Sequence, residues 1–394
     1  MIKQLSAWAE IDTSAIRHNI ALVRHQAGEH VKICAVLKGN AYGHDMIKMN
    51  RFLVSEGLAD MIAVGKFNEL LILCRESDMD QTELLLLGES EAEEIESAVI
   101  DGKLNLSRVI FSIFTMRQFY EFQEMAFRLN IKLRVHIRVD AWASGMGLSY
   151  REFLDREDEI FSSSSSDEHI QVCGLYGHMY SSYYDDQEKT KADMEEFDSF
   201  VKKISDEHRR QLTIHVKNSA LIFKYGSFAY NYNMVRAGAA LYGLPCLDEG
   251  RLRGVMKICA SIFCIKEIPK SVPLSYQPVM SLSGLKKINE ADDMQDTRRI
   301  ARIMIGYGDG PYLLTQNDVR VMIKGKCCQL ADVVCMDNLC IDITKYNDIS
   351  NGDTAILLGT SGVTVEEIMK RNGLSYVHSD WLCMTTERLE KIFI

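Results

Sequence analysis

Lys38 closes the apolar run Cys34-Ala35-Val36-Leu37 and is followed at once by the turn Gly39-Asn40-Ala41-Tyr42-Gly43-His44. An amine at the end of a buried strand is partly desolvated, stays partly unprotonated and can condense with an aldehyde. A strand-end lysine seen alone more often just reaches solvent; the string around this one argues for chemistry. Two further clusters fit the same reading. Lys217-Asn218-Ser219-Ala220 and Val235-Arg236-Ala237-Gly238-Ala239 each follow a candidate strand. Gly238 and Ala239 leave backbone N–H groups approachable and Ser219 adds a hydroxyl, which suits a phosphate as well as it suits close packing. The other cluster, Ile303-Met304-Ile305-Gly306-Tyr307-Gly308-Asp309-Gly310, is a glycine-framed turn that can aim the phenol of Tyr307 into a cavity. His178, in Gly174-Leu175-Tyr176-Gly177-His178, is placed to orient Arg236 by a hydrogen bond.

The elements that must position these residues come in two styles. Asp12-Thr13-Ser14 caps a helix carrying Ile16, Ile20 and Val23 on one stripe and ending near Gly28. A nearly continuous apolar run, Val31 to Leu37, follows, and similar runs recur at Met61–Val64, Leu84–Leu87, Val109–Phe111, Leu133–Ile137, Val172–Leu175 and Leu212–His215. Such runs mark strands covered on both faces, as in a parallel sheet. Helical stretches separate them, and alternation over about 240 residues has the size of a (β/α)8 TIM-type barrel, whose chemistry sits at the strand ends. After Tyr242-Gly243-Leu244-Pro245 the rhythm changes to short, more alternating strands with turns such as Ser350-Asn351-Gly352-Asp353. The expected architecture is α/β: a barrel over residues 1–245 and a mostly-β domain over 246–394. The serine run from Ser162 to Ser166 reads as a solvated barrel loop.

Composition narrows the partners. A formal charge of −10 and a pI near 5.6 disfavour nucleic acid or an anionic membrane surface and leave a small metabolite. No apolar stretch is long enough to span a bilayer, and Met1-Ile2-Lys3-Gln4-Leu5 lacks a secretory core, so a cytoplasmic protein is expected. The eleven cysteines contain no C-x-x-C pair to grip a metal, and none is expected. Cys327 and Cys328 should point to opposite faces of one strand, which disfavours a disulfide between them.

In order along nearly the whole chain, the helix start, the Lys38 string, the strand end at His178, Asn218-Ser219-Ala220, Val235-Arg236-x-Gly238, Gly306-Tyr307-x-Asp309-Gly310 and Val334-Cys335-Met336-Asp337 resemble the alanine racemases. The resemblance implies pyridoxal 5'-phosphate as cofactor, carried on Lys38 through an imine, and a homodimer packed head to tail with shared active sites. It implies that Lys38 and Tyr307 are the two bases, one on each face of the substrate Cα. It further implies that Tyr42, Ser219, Gly238 and Ala239 hold the phosphate, Arg236 the ring nitrogen, and the Met336 N–H the substrate carboxylate. A guanidinium cannot surrender its proton, so Arg236 leaves that nitrogen unprotonated and weakens the ring as an electron sink, which favours proton exchange over decarboxylation. The expected reaction is racemisation of a small amino acid, L-alanine to D-alanine by default. A diverged cofactor-binding paralogue with other specificity or little activity is the first rival, and a decarboxylase the second.

Two departures bear on the substrate. The family usually carries Lys-x-Asp-Thr-Gly-Met-x-Arg after the fifth strand, its arginine touching cofactor and substrate carboxylate. Here the segment is Arg138-Val139-Asp140-Ala141-Trp142-Ala143-Ser144-Gly145-Met146-Gly147-Leu148. Arg138 stands at the lysine position, from which it could itself move toward the vacated charge. Near the other end, Met384-Thr385-Thr386-Glu387-Arg388-Leu389 lacks the family's phosphate-binding tyrosine, which leaves Thr385 or Thr386 as substitute donors.

Overall fold

The computed structural model describes residues 5–75, 82–140, 145–162, 169–183, 186–224, 232–244, 250–270, 274, 297–310, 318–331, 333–373 and 380–394. The serine run and Ala141 to Ser144 lie wholly or partly outside that set.

The apolar runs form the expected strands: β2 (Lys32–Val36), β3 (Met61–Val64), β4 (Glu83–Leu86), β5 (Val109–Ile113), β6 (Leu133–Arg138), β7 (Ile170–Tyr176), β8 (Thr213–His215) and β9 (Met234–Ala237). They pair in parallel in the order β8-β7-β6-β5-β4-β3-β2-β9. The ring closes between its two ends where the Arg236 N–H donates to the Lys217 carbonyl at 2.9 Å. Strands β3 and β5 are buried at every position, because the helices cover one face and the barrel filling covers the other. The helix Thr13–Ala27 starts as its sequence predicts, with the Asp12 carboxylate accepting from Ser14 and Ala15 N–H groups, and ends at Gly28.

The second sheet holds a strand that the sequence reading did not single out, β1 (Ala7–Ile11), together with β10 (Met256–Pro269), β11 (Thr297–Ile303), β12 (Arg320–Ile323), β13 (Lys326–Leu330), β14 (Leu339–Asp342), β15 (Thr354–Leu358) and β16 (Glu390–Phe393). β1 pairs antiparallel with β10 and parallel with β16. β10 departs from the expected short strands. Its 14 residues pair with three strands, β1 and β15 near its start and β11 from Ile262 onward, across a bulge at Ile262/Cys264. A bulge bends the strand, so one long element turns the corner of the sheet. Cys327 is exposed and Cys328 buried, as alternation along β13 requires. Among the described residues no helix is long and apolar enough to cross a membrane.

Candidate active site

Lys38 begins the turn that leaves β2, at the C-terminal mouth of the barrel. The turn is left-handed: φ is 64° at Gly39, 54° at Asn40, 56° at Ala41 and 52° at Tyr42. Left-handed backbone is tolerated by glycine but costs about 1 to 2 kcal/mol at each ordinary residue, so the surroundings must hold this one. The Glu69 carboxylate does so on one side, accepting from the N–H of Gly39 at 2.7 Å and from those of Gly65 and Lys66 at 2.9 and 3.0 Å. Inside, the His44 ring meets the carbonyls of Ala41 and Tyr42 at 3.0 and 2.9 Å. Beyond, Gly43 is clasped by the segment carrying Leu382 and Thr385; a Cβ there would overlap the Leu382 carbonyl. The Thr385 hydroxyl reaches the Gly43 carbonyl at 3.0 Å, and that of Thr386 donates to the Gly308 carbonyl at 3.3 Å. Both substitute donors suggested by the sequence are thus directed at backbone oxygens. They serve to close these turns.

The Lys38 residue is open to solvent, yet its amine stands in a neighbourhood crowded with protein. Burial therefore lowers its pKa from the usual lysine value first, and the charge of Arg236 second, with Arg138 adding in the same direction. Cys383 and Glu69 act the opposite way. A lowered pKa is what an amine needs to react with a carbonyl near neutrality.

Tyr42 lies over the start of the second cluster. Its ring packs on Tyr242 at a centroid distance of 4.7 Å, and Tyr242 in turn is fixed by a 3.0 Å bond from its hydroxyl to the Val36 carbonyl. A Cβ on Gly238 would come within 2.7 Å of the Tyr42 hydroxyl oxygen, so glycine is what lets the phenol approach this backbone. Ser219 Oγ accepts from the N–H groups of Gly238 and Ala240, both at 3.1 Å, which leaves its own proton to donate. The structure thus brings Lys38, Tyr42, Ser219, Arg236, Gly238 and Ala239 to one end of the barrel, on neighbouring strands β2 and β9 and the turn after β8.

Arg236 is buried and held at three points. Its Nη1 donates to Nδ1 and to the carbonyl of His215, both at 2.8 Å, and its Nη2 donates to the Gly177 carbonyl at 2.9 Å. Tyr176 stacks on His215 at 4.9 Å with 7° between planes and also lies under the guanidinium. His178 stands near enough to feel Arg236. Desolvation first, then the charges of Arg236, Arg138 and Lys38, push its pKa down to about 3. Arg138 is also buried, its Nε bound to the Met146 carbonyl at 3.1 Å and its guanidinium over the rings of Phe114 and Tyr176. Lys217 is buried nearby on the chain, its pKa lowered by desolvation. Three basic side chains at one barrel mouth, Lys38, Arg138 and Arg236, with Glu69 turned to backbone N–H groups, suit an anionic ligand.

Tyr307 and Met336 form a separate group on the β domain. The Tyr307 N–H donates to the Cys335 carbonyl at 3.0 Å and the Gly308 N–H to that of Met336 at 2.9 Å. Arg388 clamps both turns from outside, pairing with Asp309 at 3.2 Å and with Asp337 at 2.6 Å. Tyr307 and Met336 are each 51% exposed.

Sequence reasoning passed over Glu69, His215, His136 and Arg388. Glu69 lies 31 residues beyond Lys38 on a helix start, and a lone carboxylate there carries no signal. The two histidines sit in strands, where only the fold shows that they meet.

Comparison with known proteins finds relatives along nearly the whole chain. Residues 11–245 match the model of the alanine racemase N-terminal domain, and residues 255–393 that of the C-terminal domain. Alanine racemase 2 of Caldanaerobacter subterraneus subsp. tengcongensis is 29% identical over 98% of this chain and 94% of its own length. The alanine racemase of Methylacidiphilum infernorum is 30% identical over 92% and 87%. A solved structure of alanine racemase from Clostridium difficile superposes with a TM-score of 0.83 at 28% identity, covering all of this chain and 97% of the other. The chain belongs to the alanine racemase family.

Proposed function

We propose that this protein racemises a small amino acid, alanine in the first instance, with pyridoxal 5'-phosphate as cofactor. The observation that carries the reading is a lysine at the end of β2 and a locked arginine on the adjoining strand β9, brought to one barrel mouth. The residues fit the cofactor: an amine for its aldehyde, a glycine-lined approach under Tyr42 and a free Ser219 proton for its phosphate, and a guanidinium for its ring nitrogen. When bound, the group supplies an electron-withdrawing ring that acidifies the substrate Cα–H.

The chain's own residues do the rest. Lys38 holds or releases a proton at Nζ on one face of Cα, and Tyr307 of the partner subunit does the same at Oη on the other face. Residues 1–245 hold the cofactor, and residues 246–394 complete the site of the partner in a head-to-tail homodimer. The exposed pair Tyr307 and Met336, braced by Arg388, supports that arrangement. The Met336 N–H would bind the substrate carboxylate, and His178 would support Arg236 where it meets the ring nitrogen. Arg236 cannot give its proton to the ring nitrogen, which disfavours decarboxylation. Ten free thiols among the described residues support a reducing compartment, the cytoplasm.

The test is incubation with L-alanine in deuterated water, following Cα exchange and optical activity together. Exchange with loss of chirality is expected. Carbon dioxide release without exchange points to the decarboxylase, and bound cofactor with neither reaction points to the inactive paralogue.

A further inference from the structure

Behind Arg236 lies a pair of buried histidines that the proposed reaction does not use. His136 on β6 places its Nδ1 2.9 Å from Nε2 of His215, and both rings are buried. Arginine can only donate, so the 2.8 Å contact from Arg236 Nη1 requires His215 Nδ1 to be bare. His215 must then carry its proton on Nε2, and Nε2–H must donate to His136 Nδ1. The direction of each bond from the guanidinium to β6 is fixed by the first. Charging either ring would break this order, and burial opposes it: desolvation, followed by neighbouring cations, brings the His136 pKa down to about 3 and that of His215 well below the usual value.

The barrel also makes room for His136. A Cβ on Gly174 of β7 would overlap the His136 ring at Cδ2 and Nε2, so this strand gives up a side chain where the ring lies. Tyr176, two residues on, closes His215 from its flat face, and its hydroxyl is tied to Ser112 at 2.8 Å and to the Leu87 carbonyl at 3.1 Å. His215 therefore has one orientation and one acceptor for its proton.

We propose that His136 is a positioning residue for Arg236: by accepting from His215 Nε2 it holds that ring in the tautomer whose bare Nδ1 fixes the guanidinium. The inference rests on the placement of Arg236 at the cofactor ring nitrogen for its catalytic consequence, but the tautomer itself can be read without cofactor. His136→Leu removes the acceptor, while His136→Gln returns an oxygen able to accept. Gly174→Ala displaces the ring without replacing it and serves as a second route if the leucine variant folds poorly.

Histidine ring nitrogens labelled with 15N and followed by long-range 1H–15N correlation report the tautomer in the apoprotein. In the unaltered protein His215 should show a protonated Nε2 and a bare Nδ1. In His136→Leu and Gly174→Ala these signals should move toward the averaged values of mixed tautomers. The absorbance band of the loaded protein should shift as well, and kcat should fall about tenfold or more, as when an outer hydrogen-bond partner of a metal-binding histidine is lost. His136→Gln should recover all three. Unchanged His215 signals in His136→Leu, or equal behaviour of the leucine and glutamine variants, would overturn the proposal. Failure of the cofactor assignment would instead appear as no visible band in the unaltered protein, with the tautomer pattern intact.

Discussion

Gly238 offers a quantitative test of how Tyr42 is presented. An alanine Cβ there would stand 2.7 Å from the Tyr42 hydroxyl oxygen, about 0.7 Å short of the 3.4 Å at which ordinary contact begins. The ring cannot simply slide away, because Tyr242 packs against it and is itself buried and tied to Val36. Overpacking of this kind costs about 1 to 3 kcal/mol, and any relief must move the hydroxyl off its position. Gly238→Ala should therefore raise the cofactor Kd by a factor of roughly 5 to 150. The offending atom is one oxygen; the next atoms are Tyr42 Cζ at 3.5 Å and Val36 Cβ at 3.7 Å, both ordinary distances. In a Tyr42→Phe background the same alanine should cost almost nothing, giving a coupling energy of about 1 to 3 kcal/mol. Titrating cofactor into the four proteins and following visible absorbance measures it. If Gly238→Ala costs the same in both backgrounds, the close approach of the phenol is not why glycine stands there.

Three other outcomes follow from the same geometry. Lys38→Ala should abolish the visible absorbance of lysine-bound cofactor, and an unchanged spectrum would remove Lys38 from that role. Tyr307→Phe should lower racemisation by roughly 10² to 10⁴ while cofactor stays bound, the range expected for a lost acid or base; full activity would refute it. Arg138→Met should raise the pKa of the Lys38 amine, since a neighbouring cation that disfavours the protonated form is removed, while burial keeps it below the usual lysine value. The pH midpoint for trapping the amine in the apoprotein with an amine-selective reagent should move upward, and a downward move would contradict the placement of Arg138.

The barrel was legible because strands covered on both faces read as unbroken apolar runs, and Val31 to Leu37 or Leu84 to Leu87 have no other simple reading. β1 was not, since Ala7-Trp8-Ala9-Glu10-Ile11 is five residues long and its partners, β10 and β16, lie about 250 and 380 positions away. Residues that carry reactive or cation chemistry in a marked string, such as Lys38 and Arg236, could be picked out by type and flanks. Their supports could not. Glu69 acts through backbone N–H groups of a turn it does not adjoin, and His136 meets His215 only because β6, β7 and β8 are neighbours in the barrel. Long-range hydrogen bonds between polar groups leave no period in a sequence, whereas buried surface does.

β1, lying between β10 and β16, has a consequence for biosynthesis. A strand made within the first dozen residues finds one flank only after residue 256 and the other only after residue 390. During translation the barrel can close while this strand waits unpaired at its side. The β domain must then assemble around an already synthesised segment instead of folding as its own stretch emerges from the ribosome. Nascent chains arrested before β10 has emerged should accordingly display a closed barrel beside which β1 is still open to protease.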